Sequence, residues 1–115
     1  MNLIKKLKTN KVIEQNDITS IKPPITLELI RLLCCLETKI NQDAFLGKSR
    51  KREIVQARQL YYFFAKNRTN YTLAQIKAIT NQHHATVMHG VNTINDLKQN
   101  NSMIRNFVNN INSKL

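Results

Sequence analysis

Apolar residues recur at helical spacing along most of this sequence, and few residues interrupt the pattern. Five segments carry it: residues 25–40, 53–66, 72–79, 83–98 and 102–112. The 115 residues include only two glycines and two prolines, too few for the many tight turns of a sheet protein. The pattern therefore predicts an all-α domain, and a hydrophobic content of 42% argues against a disordered chain.

The first predicted helix has one apolar face, and Thr26 is placed to cap its N-terminus. The residues of that face are Ile25, Leu29, Leu32, Leu33, Leu36 and Ile40. A short helical turn is expected at Gln42–Leu46, followed by a basic loop. Cys34 and Cys35 lie in an apolar run, and neighbouring cysteines rarely bridge each other. We therefore expect two reduced thiols, at least one of them in the core.

Residues 53–66 are apolar nearly all round, which is typical of a central helix packed by several neighbours. The run from Tyr61 to Phe64 has the composition of a stacking platform for single-stranded nucleic acid. Aromatic residues at helical spacing are more often core, however, and we interpret the run as core. Tyr71 is the better candidate for an exposed aromatic residue.

Two of the predicted helices are separated by only a short connection, Thr80-Asn81-Gln82. The first of them begins at a capping box, Thr72-Leu73-Ala74-Gln75. Two helices joined in this way form a helix-turn-helix, whose second helix lies in the major groove of DNA and touches bases with its first turn. The apolar stripe of the second helix starts only at Val87, so residues 83–86 are free to face outward.

The residues of that first turn have side chains suited to a DNA groove. His83, His84 and Thr86 can both donate and accept hydrogen bonds. The methyl group of Ala85 or Thr86 can contact a thymine methyl group. Because the amino end of a helix also favours a nearby phosphate, the pattern predicts that this turn meets DNA.

The charge of the chain points to polyanions. Lysine and arginine total 18 against 7 acidic residues, a formal net charge of +11, which suits nucleic acid or an anionic membrane. Between residues 48 and 68 only Glu53 opposes the positive residues Lys48, Arg50, Lys51, Arg52, Arg58, Lys66 and Arg68. A charge run alone is more often a solvated surface. Next to a helix-turn-helix, a basic loop that can enter a narrow minor groove predicts a DNA footprint.

Four blocks of the sequence resemble the C-terminal DNA-binding domain (domain IV) of the bacterial replication initiator DnaA. The blocks occur in the same order and at the same spacing as in that family, except that the turn is shorter. They are Leu46–Lys51, Ala57-Arg58-Gln59, Thr72–Ile76 and His84–Gly90. The last block is similar to that family's His-Thr-Thr-Val-Leu-His-Ala signature. Each block alone is weak, but four in register are specific, and a looser helical similarity extends over residues 24–115.

The resemblance implies an all-α fold of five to six helices around a central helix-turn-helix, similar also to the Trp repressor. It implies binding to the short asymmetric DnaA box, in replication initiation or its regulation. By position, Arg50 matches the family's minor-groove arginine, and Arg58, Gln59 and Lys66 match residues at phosphates or adjoining base edges. The full predicted DNA-binding set is Lys48, Arg50, Lys51, Arg52, Arg58, Gln59, Lys66, Thr72, Gln82, His83, His84, Ala85, Thr86 and His89.

Three departures from the family concern the preferred DNA sequence more than the fold. The family usually has Asp where this chain has His83, and a carboxylate accepts from cytosine whereas a neutral His offers one donor and one acceptor. Ala85 replaces a Thr and loses a hydroxyl group. The turn, where the family normally has glycines, is Asn81-Gln82.

We predict no reaction, cofactor or metal. Gly47-Lys48-Ser49 lacks the upstream glycine of a phosphate-binding loop, since position 42 is Gln, and we expect none of the family's ATPase activity from these residues. His83, His84 and His89 have no Cys or acidic cluster beside them. Because His84 and His89 are five residues apart, they point to different faces of the helix. Thr86 has no Asp or Glu with which to form a catalytic triad.

The sequence divides into residues 1–23, a basic N-terminal arm or short appended helix, and residues 24–115, the helix-turn-helix domain. With no signal peptide or membrane-crossing stretch, we expect a cytoplasmic, nucleoid-associated monomer. It should bind double-stranded DNA and neither nucleotide nor membrane, with residues 1–23 open to a protein partner. Two alternatives stay open: a transcription regulator of a phage or mobile element with a different operator, and a protein-interaction module that does not bind DNA.

Overall fold

The computed structural model describes residues 24–115, and the predicted N-terminal arm lies outside that range. Over the described residues the chain has helices and no strand, which confirms the all-α prediction. The helices are α1 (Leu27–Thr38), α2 (Gln42–Leu46), α3 (Arg52–Arg68), α4 (Leu73–Thr80), α5 (His84–Asn100) and α6 (Ser102–Lys114). Their ends differ from the predicted ends by two residues or fewer, the usual uncertainty of helix boundaries.

Short polar side chains begin most of these helices by accepting the free N–H groups of the first turn. Thr26 accepts from the backbone N–H of the third residue of α1 at 3.1 Å, as predicted. Asn41 and Asn101 do the same for α2 and α6. At α4 the predicted capping box is confirmed, because Thr72 and Gln75 each bond to the backbone N–H of the other.

The core is built around α3, whose aromatic run from Tyr61 to Phe64 is buried. This helix contacts α1, α2, α4 and α5, so it is the central helix that its all-round apolar character predicts. Neighbouring rings meet edge-on, with the rings of Phe45 and Tyr61 at 5.7 Å and 88°. The buried hydroxyl groups are satisfied, since Tyr61 donates to the carbonyl of Ile76 at 3.0 Å.

The predicted apolar face of α1 is partly wrong. Leu32 and Leu36 are 39% and 63% exposed. The residues that α1 buries are Leu27, Ile30, Cys34 and Cys35. This helix carries apolar side chains on several sides, so spacing alone does not select a face; packing against α3 and α6 does.

Both cysteines are free and buried, as expected of reduced thiols in the core. Burial raises the pKa of the Cys34 thiol, and the neighbouring Cys35 raises it further. Burial also raises the pKa of Cys35, against a smaller lowering by Arg31. Both groups therefore stay protonated at neutral pH and pack as small apolar side chains.

The turn of the helix-turn-helix depends on Asn81, which ends α4 in the left-handed conformation with φ 52° and ψ 46°. The backbone N–H groups of Asn81 and Gln82 return to the carbonyls of Ala78 and Lys77, both at 3.3 Å. Asparagine is one of the few residues besides glycine that adopts this conformation at low cost. It therefore supplies here what glycine supplies in the similar family.

Helix α5 approaches α3 closely at Gly90. A Cβ atom at this position would lie 2.7 Å from Cδ2 of Tyr62 and 3.2 Å from Cγ of Gln59. Both distances are shorter than carbon atoms tolerate without strain. The DnaA-like signature has alanine at this position. Glycine in this chain lets α5 pack closely against the large ring of Tyr62 on α3.

We predict that Gly90→Ala lowers the free energy of unfolding by about 1–3 kcal/mol, because the added methyl group overpacks the contact with Tyr62. The loss should appear although alanine favours helix over glycine by about 1 kcal/mol. Urea denaturation of the two proteins measures it. The same substitution in a Tyr62→Leu background should cost less, and a more stable Gly90→Ala protein would contradict the close approach.

Candidate DNA interface

The N-terminal turn of α5 is exposed, as the late start of its apolar stripe predicts. His83, His84, Ala85 and Thr86 are all exposed, and Val87 is the first buried residue. His83 occupies the N-cap position, but its side chain makes no capping hydrogen bond. The N–H groups at the positive end of this helix are thus left open to an outside acceptor.

The basic loop between α2 and α3 presents its cations to solvent. Lys48, Arg50, Lys51 and Arg52 are all exposed. Across residues 24–115 the ion pair found is that of Lys114 with Glu37, at 3.9 Å, which joins α6 to α1. Within that range no carboxylate forms an ion pair with the loop, so its cations are available to a polyanion.

Arg58 is more buried than the other predicted cations. The resemblance implies a place at a phosphate or base edge, whereas the side chain is only 6% exposed and its guanidinium group is bonded to the protein backbone. Four hydrogen bonds run from it to backbone carbonyl groups. They join Nε to Phe45 at 2.8 Å, Nη1 to Ser49 at 2.7 Å, and Nη2 to Ala44 at 3.1 Å and Gly47 at 2.9 Å. These bonds use four of its five N–H groups, so one N–H group is left for another partner.

A cleft of about 740 Å³ separates the basic loop from α5. Half of the predicted DNA-binding residues line it: Lys48, Arg50, Arg58, Gln59, Gln82, Thr86 and His89. The remaining wall residues are Leu46, Gly47, Val55, Tyr62, Thr80 and Asn81. The wall contains four basic or imidazole side chains and no acidic one, so it is suited to a negatively charged ligand.

The other predicted residues lie outside this cleft. Lys51, Arg52, His83, His84 and Ala85 are exposed beside it in sequence, on the loop or on the first turn of α5. Lys66 is exposed near the opposite end of α3. The hydroxyl group of Thr72 accepts from the N–H of Gln75 at 3.2 Å, so its observed role is to cap α4.

Sequence reasoning missed the floor of the cleft. Tyr62 and Thr80 are buried there and share a hydrogen bond of 2.8 Å. Burial raises the pKa of Tyr62, while the bond to Thr80 and the charge of Arg58 lower it less strongly. The phenol therefore stays neutral. The only sequence signal was the hydroxyl group of a tyrosine within an apolar run. That signal does not reveal that Thr80 is its hydrogen-bond partner.

Neither a metal site nor a membrane span was found in residues 24–115. That part of the chain holds no group of three or more His, Cys, Asp or Glu side chains arranged to bind a metal ion. None of its helices combines the length and the apolar character needed to cross a membrane.

Comparison with known proteins agrees with the features of this site. The family model described as the bacterial DnaA protein helix-turn-helix matches residues 27–94. The chromosomal replication initiator protein DnaA of Flavobacterium psychrophilum is 33% identical over 110 residues, which is 95% of this chain and 23% of that protein. The DnaA of Borrelia hermsii is 33% identical over 109 residues, 90% of this chain and 22% of that protein.

The DnaA of Bacteroides thetaiotaomicron is 41% identical over 71 residues, 61% of this chain and 15% of that protein. The chain thus spans less than a quarter of the length of each of these relatives. The family match covers α1 through most of α5, including the basic loop and the whole helix-turn-helix. This match confirms the resemblance seen in the four sequence blocks and supports DNA binding. The chain belongs to the family of the bacterial DnaA helix-turn-helix domain.

Proposed function

We propose that this chain binds double-stranded DNA at specific sites, with α5 in the major groove and the basic loop in the adjacent minor groove. The observation that carries the proposal is the shared cleft. Thr86 and His89 of α5 face Lys48 and Arg50 of the loop across it. One duplex can therefore meet both elements at once, in the way that helix-plus-arm proteins read neighbouring grooves.

The residues of the two elements divide between reading bases and holding phosphates. Thr86 and His89 offer hydroxyl and imidazole groups of the kind that contact base edges in the major groove. Arg50 has the charge and shape that a narrow minor groove attracts. Lys48, Lys51 and Arg52 hold the backbone in register, since phosphate contacts position a protein without reading sequence.

We propose that the preferred site resembles the DnaA box without being identical to it. His83 stands where the family usually has Asp, so this chain loses a carboxylate acceptor for a cytosine amino group. Ala85 offers only a methyl group where the family has a hydroxyl. An asymmetric box is bound by one chain, which makes the chain a monomer on DNA. The consequence of occupancy is replication initiation or its control, and the proposal involves no chemical reaction.

Fluorescence anisotropy with a labelled DnaA-box duplex and a scrambled duplex, at two salt concentrations, tests this function. We expect the box to be preferred, and we expect the preference to persist as salt weakens the nonspecific, counterion-driven part of the affinity. Equal and steeply salt-dependent binding to both duplexes would contradict box recognition. Selection from random sequence would then find the actual site. Binding to neither would contradict DNA binding altogether.

We predict that Arg50→Ala weakens binding to the box more than binding to the scrambled duplex, because a minor-groove contact depends on sequence. Arg105→Ala is the matched control, since Arg105 is exposed on α6 and the substitution removes the same charge. The control should change both affinities little and equally. Equal losses for Arg50→Ala would reduce Arg50 to a phosphate contact.

Thr86→Ala is predicted to cost about 1–3 kcal/mol of discrimination between the box and its variants, the usual worth of a base contact. Asn95→Ala serves as the control, because Asn95 is exposed on α5 but lies on the opposite side of the helix by its helical rotation. Competition binding with single-base variants of the box measures the discrimination. An unchanged preference would remove Thr86 from the residues that read bases.

A further inference from the structure

Arg58 holds together the end of α2 and the start of the basic loop. Two of the carbonyls it binds, those of Ala44 and Phe45, belong to the last turn of α2. The other two, of Gly47 and Ser49, belong to the loop itself. One side chain of α3 thus joins four carbonyls of this stretch of backbone, of which that of Ala44 also accepts from the N–H of Gly47 at 3.2 Å.

These carbonyls need such a partner. The last turn of a helix leaves its C=O groups without intrahelical donors, and α2 has only five residues. A helix this short is marginal without tertiary support. The positive charge of Arg58 also lies at the carboxyl end of α2, where a cation is favourable. The bonds therefore stabilise the backbone at the end of α2 and the start of the loop.

The loop alternates between bound carbonyls and exposed cations. Arg58 binds the carbonyls of Gly47 and Ser49, and the residues that follow each of them, Lys48 and Arg50, have exposed side chains that line the cleft. Arg58 thus ties the loop backbone to α3 at the residues that alternate with the two cleft-lining cations. The orientation of Lys48 and Arg50 thus depends on the bonds made by Arg58.

We infer that Arg58 is a positioning residue for DNA recognition: it holds the basic loop in the form that can enter the minor groove beside α5. The inference rests on the proposed function, because that function assigns the loop to the minor groove. Arg58 contributes without touching DNA. Pre-formation of the loop reduces the cost of ordering it on binding, and that gain falls mainly on the specific complex, where the geometry of Arg50 matters.

Only arginine suits this position. Its rigid planar fork carries five N–H donors that point in different directions, and four carbonyls are satisfied here at once. Lysine has the same charge but a single nitrogen atom with three donors. It cannot reach all four acceptors, so Arg58→Lys separates the hydrogen-bond geometry from the charge.

Arg58→Lys is expected to reduce the preference for the box over the scrambled duplex by about tenfold or more, the discrimination lost with a single base contact. The dependence of affinity on salt should stay the same, because the net charge is unchanged. Arg105→Lys, an exposed charge-conserving substitution on α6, is the control and should change neither quantity. The three proteins are compared at a temperature where circular dichroism shows all of them to be folded.

Two measurements that need no specific DNA complement this comparison. Trypsin should cut the loop of Arg58→Lys faster than that of the unaltered chain, at Lys48, Arg50 or Lys51. In the unaltered chain, nuclear magnetic resonance should show the Nε–H of Arg58 exchanging slowly with solvent, and still slowly after duplex is added, because its carbonyl bond persists.

An unchanged box preference in a folded Arg58→Lys protein would overturn the inference. Rapid exchange of the Arg58 Nε–H in the free chain would overturn the inference too. Faster exchange of this group after DNA is added would also overturn it, in favour of a phosphate contact by Arg58. Absence of any box preference in the unaltered chain would instead defeat the proposed function. The exchange and proteolysis results would then still decide whether Arg58 orders the loop.

Discussion

Tyr62 joins three helices at the floor of the cleft, and the position of α5 depends on it. From α3, its ring meets α5 at Gly90, where even a methyl group would come within 2.7 Å. Its hydroxyl group shares a hydrogen bond of 2.8 Å with Thr80 at the end of α4. The ring sets the spacing of α5 from α3 and the hydroxyl fixes the start of the turn. The exposed first turn of α5 therefore has a defined place relative to the basic loop.

The two walls of the cleft are held from the same helix. Tyr62 supports the helix-turn-helix and Arg58, one turn earlier on α3, supports the loop through four carbonyl groups. Because α3 is the most buried helix, it provides a rigid base for both. Sites built on rigid elements keep their geometry better than sites on free loops. In the proposed complex the exposed residues supply the contacts, and the buried ones determine where the contacts are.

The sequence predicted the features that depend on local spacing. Helix positions, the capping box at Thr72 and the outward-facing residues 83–86 follow from neighbours within one turn, and all were confirmed. The face of α1 was not predictable, because apolar side chains on several sides leave the choice to distant helices. Arg58 was assigned to DNA because it belongs to the basic run of residues 48–68 and matches a DNA-contacting position of the similar family. Its burial depends on carbonyls of α2 and the loop, which no local pattern reveals.

The central claim is that the basic loop and the first turn of α5 engage one duplex together. The most direct test is to follow the backbone amide resonances of the whole chain while a box duplex is added. We predict that amides of residues 48–51 and 83–89 shift together, at the same duplex concentrations, while those of α6 stay in place. Shifts confined to the loop, or spread over α1 and α6 without α5, would contradict the account.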